Sequence, residues 1–242
     1  MASIAQEKST KIKERIIISL GGSLLVPESI DAVFVANFKQ FVVDHIQNGY
    51  QFILVTGGGR TARKYIEAAA AVTDINDEDK DWLGIHATRM NAHLVRTIFR
   101  EYAHPRINTN PHDLEDFYNI TEPIMVAAGW RPGRSTDYAA VVLGKYLGVK
   151  RIMNLSNIER VYDKDPHTHA DAKPYDKLTW KAFRAIVGDE WNPGMNAPFD
   201  PIASQMAEEE GMEVAVLNGG DLQNVSRYIA GKKFIGTVIR NE

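Results

Sequence analysis

Short apolar, β-branched runs recur along the chain at residues 15–20, 51–56, 123–128, 150–155 and 213–217, and each reads as a buried strand. Between them apolar positions return at helical spacing over 33–48, 61–72, 85–102, 137–147 and 201–210, with Gly, Pro and Asn at the breaks. Strand and helix alternate. That order predicts a mainly parallel sheet with helices on both faces, and ligands bound beyond the carboxyl ends of the strands. The polar stretch 164–178 interrupts the alternation and reads as a loop or hairpin, and 233–239 reads as a closing edge strand.

Composition narrows the function classes. A chain of 242 residues, 44% hydrophobic, can bury one sizeable core. Its 28 Lys and Arg against 31 Asp and Glu give a net charge of -3, so no nucleic-acid partner is expected and any anion must be held locally. With no cysteine, neither disulfides nor cysteine-held metals arise, and the simplest compartment is the cytoplasm. Residues 1–14 read as a flexible N-terminal tail ahead of one unit over 15–242. The Ile16-Ile17-Ile18 run is too short for a signal-peptide core or a span, so no membrane partner is expected.

Three glycine clusters fall where strands end. Gly57-Gly58-Gly59, followed by Arg60 to Lys64, sets flexible backbone at a helix mouth, where amides and the helix dipole suit a phosphate. Arg63, read as lying on the first turn, can add a forked contact. The same residues also fit a tight turn with a solvated basic face, and neither the P-loop nor the Rossmann spacing is present. Gly21-Gly22-Ser23 can face the same phosphates or be an ordinary turn. The loop Gly129-Trp130-Arg131-Pro132-Gly133-Arg134-Ser135-Thr136-Asp137 combines two arginines, hydroxyls and a helix cap, and suits a polar anionic small molecule. Asp81 stands at the expected start of a long helix carrying Arg89 and Asn91, a place where a lone aspartate is usually a cap. His167 and His169 with Asp163, Asp165 and Asp171 match no strong metal spacing and read as solvated loop residues, so no metal ligand is assigned.

Taken in order, IIISLGGSLLVPE, VTGGGRTARKYIE, KDWLGIHATRMNAHLV, GWRPGRSTDYAA, NLSNIERVYDKDP, FDPIASQMA and IGTVI resemble the amino acid kinase superfamily, specifically its archaeal-type uridylate kinases. The resemblance implies a three-layer α/β/α sandwich with a mainly parallel central sheet. It implies an acceptor half over about 15–148, an ATP-binding half over about 149–242, and a hexamer. It implies transfer of the γ-phosphoryl group of Mg-ATP to UMP, with ATP and Mg²⁺ as cofactors. By the same resemblance Gly22, Ser23, Gly59 and Arg63 meet the ATP phosphates and the transferring group, and Ser156, Asn157, Tyr162 and Asp165 line the ATP nucleoside pocket. Gly58, Asp81 and the loop of Trp130, Arg131, Pro132, Gly133, Arg134, Ser135 and Thr136 hold UMP, while Asp200, with Asp137, organises the catalytic centre.

Some positions depart from the family pattern. Ser19 stands where many superfamily members carry a lysine, Asn154 where bacterial-type members do, and Arg160 replaces a glycine, which implies backbone strain there or an arginine reaching for phosphate. The missing lysines favour a non-catalytic nucleotide-binding relative used for storage or regulation. A kinase of another small acceptor is a third reading.

Overall fold

Side chains of β1 (Glu14–Leu20) alternate between two cores. Ile16, Ile18 and Leu20 join one apolar cluster and Ile17 the other, all fully buried, as expected of a strand covered on both faces. The computed structural model describes residues 12–115, 117, 120–166, 168–190 and 197–242. From β1 the chain continues through α1 (Gly22–Leu25), α2 (Ala32–Gln47), β2 (Tyr50–Thr56), α3 (Gly59–Ala70), α4 (Asp77–Ile98), β3 (Ala103–Asn108), β4 (Ile124–Ala127) and α5 (Thr136–Leu147). There follow β5 (Arg151–Ser156), β6 (Val161–Tyr162), β7 (Pro174–Tyr175), β8 (Lys177–Thr179), α6 (Trp180–Val187), α7 (Pro201–Glu209), β9 (Glu213–Asn218), α8 (Leu222–Ile229) and β10 (Thr237–Arg240).

Eight of the strands form one sheet in the order β3-β4-β2-β1-β5-β9-β10-β8. Neighbours run parallel, except that β10 is antiparallel to β9. Phe38 and Phe41 of α2, Val95 of α4 and Val225 of α8 cover one face. Val141 of α5, Trp180 and Phe183 of α6 and Ala203 of α7 cover the other. The result is the expected three-layer α/β/α sandwich.

Several boundaries differ from the sequence reading. The long helix starts at Asp77, because Asn76 accepts from the Asp79 amide (2.8 Å) and three acidic residues fill its first turn; these complement the helix dipole. β10, read as an edge, lies inside the sheet, and the short polar β8 forms the edge. β3 was not legible, since AHPRIN has neither alternation nor an apolar run. The polar stretch does form a hairpin, β6 with β7. Residues 1–11 and His167 lie outside the described residues, while Glu14, read as tail, already joins the sheet by pairing with Tyr50, and the Lys13 amide before it donates to Gly49 (2.8 Å).

Candidate functional site

The strand-end glycines converge along one edge of the sheet. The amide of Gly21 donates to Leu155 of β5 and that of Gly57 to Leu20 of β1, so the loops after β1, β2 and β5 meet. Gly22 and Gly59 are so close that a Cβ on either would run into the other's backbone, and Gly59 has φ +60°. Only glycine satisfies both demands. Asn91 of α4 donates to the carbonyls of Gly57 (2.8 Å) and Gly58 (3.3 Å) and fixes the triple-glycine loop from behind.

Among the described residues, helices α2 and α4 to α8 each have a side-chain N-cap: Asp31, Asn76, Ser135, Thr179, Asp200 and Asp221. The helices that open at the glycine loops, α1 and α3, have none. A cap occupies amides that a ligand would otherwise take, so these two helix mouths are suited to an anion. α3 carries most of this effect, because α1 is a single turn. Ser23 is half-buried in α1, and Arg63 is exposed on the second turn of α3, one turn further in than the sequence suggested.

The acceptor-side loop is gripped by α4. Asp81 is not a cap; its Oδ2 accepts from the Gly133 amide at 2.6 Å. Thr88 Oγ1 accepts from the Gly129 amide (2.8 Å), and Arg89 donates to the carbonyls of Gly129 (3.3 Å) and Trp130 (3.1 Å). Trp130 lies parallel to Tyr138, with ring centroids 6.4 Å apart, and carries the Arg131 guanidinium 4.1 Å from its ring. His112, which the sequence reading passed over, also contacts Trp130. Arg134 lies over Tyr138, and its buried Nε has no partner among the described residues, leaving a donor for a ligand. Pro132 completes the loop, and Thr136 opens α5, which Ser135 caps by accepting from the Tyr138 amide at 3.1 Å.

Asp137 and Asp200 meet beside this loop. Ser19 Oγ donates to Asp137 Oδ1 (2.7 Å), and the Asp200 amide donates to Asp137 Oδ2 (3.2 Å). Burial pushes the Asp137 carboxyl up to about 7; the Ser19 bond opposes this and the neighbouring Asp200 charge adds to it. Asp200 is raised as well, again mainly by burial, against hydrogen bonds from the Ala203 amide and Ser135 and the charge of Arg134. It caps α7 through the Ala203 amide at 2.6 Å. Asn154, whose Cα pairs with that of Ser19, donates to the Pro198 carbonyl at 2.7 Å, two residues before Asp200. The two expected lysine positions are thus neutral and hold the carboxylate segments by hydrogen bonds.

On the other side of β1, Ser156 ends β5 and Asn157 follows it, exposed; Tyr162 lies on β6, and Asp165 is in the loop after it. Arg160 is occupied by an ion pair with Asp176 (2.6 Å), and no described non-glycine residue has positive φ. The backbone strain expected of Arg160 is absent, and its guanidinium is engaged by Asp176. A cavity of about 340 Å³ lined by Arg15, Gln51 and Lys150 sits at the opposite, amino ends of the strands, away from where ligands bind parallel sheets.

Residues 14–218 match the model of the amino acid kinase family. The chain belongs to this family. It is 31% identical over 228 residues to a uridylate kinase of Methanocorpusculum labreanum, covering 94% of this chain and 96% of the relative. It is 32% identical over 231 residues to one from Thermococcus kodakarensis, covering 93% and 99%. The crystal structure of the uridylate kinase from Archaeoglobus fulgidus superposes with a TM-score of 0.78 at 28% identity, covering 93% of this chain and 99% of that one. The UMP kinase structure from Bacillus anthracis, at 19% identity and a TM-score of 0.74, shares the fold. Among the described residues, no helix is long and apolar enough to cross a membrane.

Proposed function

We propose that this protein is a UMP kinase of the cytoplasm, transferring the γ-phosphoryl group of Mg-ATP to UMP in pyrimidine nucleotide synthesis. The observation that carries the reading is the pair of uncapped helix mouths, α1 and α3, interlocked at Gly22 and Gly59 beside the Asp81-anchored loop. Phosphoryl transfer asks mainly for in-line positioning and neutralisation of oxygen charge. The α1 and α3 amides with Ser23 and Arg63 meet the ATP phosphates, and Ser156, Asn157, Tyr162 and Asp165 take its nucleoside. Gly58, Asp81 and the loop from Trp130 to Thr136 hold UMP. An oxygen of the UMP phosphate attacks the γ-phosphorus as the bond to the ADP oxygen breaks. That phosphate is already ionised near neutral pH, its second pKa being roughly 6, so no general base is needed.

Asp137 and Asp200, joined by the bond from the Asp200 amide to Asp137 Oδ2, are the carboxylates that would hold a magnesium ion. The described residues form no cluster of three or more metal-ligating side chains, and Mg²⁺ is commonly held by one or two carboxylates together with substrate phosphates. When bound, it neutralises charge on the transferring group. Copies of the chain associate, as a hexamer by family resemblance, and the α3 and α4 face suits that role. α3 buries no residue, and Tyr65, Val72 and Met90 are 63%, 86% and 68% exposed.

Coupled ADP release with Mg-ATP, comparing UMP with CMP, AMP and no acceptor, tests the activity. Selective turnover with UMP establishes it. The neutral Ser19 and Asn154 favour a second reading, a nucleotide-binding protein without turnover. Binding of UMP and ATP with no ADP release selects that reading.

A further inference from the structure

Helix α4 touches both loops of the candidate site. Asp81 lies about two turns before the adjacent Thr88 and Arg89, and between them the three bind the amides of Gly129 and Gly133 and the carbonyls of Gly129 and Trp130 in the loop after β4. Two residues beyond Arg89, Asn91 binds the triple-glycine loop after β2. The helix is itself hooked to the end of β2, because Thr56 Oγ1 donates to the Thr88 carbonyl at 3.0 Å. One rigid element therefore sets the distance between the loop suited to phosphate and the loop suited to the acceptor.

We infer that Arg89 is a positioning residue for acceptor binding: its guanidinium fixes the backbone from which Trp130 and Arg131 project. Resting on the UMP kinase reading, this extends it to Arg89, which lies within the KDWLGIHATRMNAHLV segment but carries no role in that reading. Arg89 is half-buried and spends its fork on two consecutive carbonyls, a task that a planar guanidinium performs and an ammonium performs only in part. Both bonds go to the β4 loop, so the effect falls on the acceptor side and spares the ATP side.

The test compares the full-length protein with Arg89→Lys and Arg89→Met, the second keeping an unbranched stem without donors. In Arg89→Met the KM for UMP rises roughly tenfold, the size expected for loss of charge-assisted hydrogen bonds. Arg89→Lys falls between it and the parent, and the KM for ATP is unchanged in both. Backbone hydrogen exchange over 129–136, measured without nucleotide, speeds up in the same order while the sheet core is unaffected. Equal rises in both KM values, or unchanged exchange in the loop, would overturn the inference even with UMP turnover intact. If the parent protein fails to phosphorylate UMP, the functional reading falls, and the exchange measurement alone decides whether Arg89 holds the loop.

Discussion

Asp137 is held by a hydroxyl and an amide where a lysine was expected nearby, and this has a pH signature. Its carboxyl is raised to about 7 in the folded protein, against roughly 3.9 in an unfolded chain. The folded state keeps the proton between these values and the unfolded state does not. The group's contribution to stability is therefore complete below about pH 4 and is lost as pH rises through 7; Asp200, shifted the same way, adds to the slope. Thermal unfolding of the free protein from pH 5 to pH 8 should show a falling melting temperature, and Asp137→Asn should flatten the fall. Parallel slopes in parent and variant would refute the assignment. Arg160 gives a contrasting case. Its ion pair with Asp176, whose side chain is 78% exposed, is of a kind worth little, so Arg160→Ala should leave the KM for ATP within about twofold. A larger rise in a steady-state ATP titration would mean that Arg160 leaves Asp176 for the phosphates. Sequence alone identified Ser19, Asn154 and Arg160 as departures. It could not say what each one touches, because their partners Asp137, Pro198 and Asp176 are fixed by the tertiary fold or by the turn of a hairpin.

Among the elements, α3 is the most exacting, since its first residue combines positive φ with contact against Gly22. Gly59→Ala should destabilise the protein by at least about 1–2 kcal/mol, the usual penalty for a Cβ in left-handed backbone. It should also abolish the melting-temperature rise with Mg-ATP. Urea unfolding and a thermal-shift titration check the two parts, and a variant that still responds to Mg-ATP would remove Gly59 from the phosphate site. The interior strands were legible because burial on both faces leaves unbroken apolar runs such as ILVT and IMVA. The edges were not: β3 is half-exposed and carries a proline, and β8 is three residues long. α4 was placed late because its first two turns are acidic and polar, with a cap that the apolar period cannot register. That displacement is also why Asp81 read as a cap, whereas it sits a full turn inside the helix and reaches the β4 loop.

For the molecule as a whole, the unsolved economy lies on the outside of α3 and α4. The apolar stripe of α3, Ala62, Ile66 and Ala69, is only half-buried, while Tyr65, Val72 and Met90 stand exposed on or beside the two helices. Exposed apolar side chains on this face are the ground for the association proposed above. The same helices carry Gly59, Arg63, Asp81 and Asn91, so contact between copies would brace the site from behind and couple assembly to nucleotide binding. Tyr65→Glu with Met90→Glu places charges on that face without touching any residue assigned to nucleotide. Light scattering after gel filtration should show the parent as an oligomer and the double variant as a smaller species. Weaker stabilisation by UMP and ATP in the variant is the expected companion result, because a ligand stabilises only the form it binds. A monomeric parent would instead leave the apolar stripe unexplained and return the coupling to α4 alone.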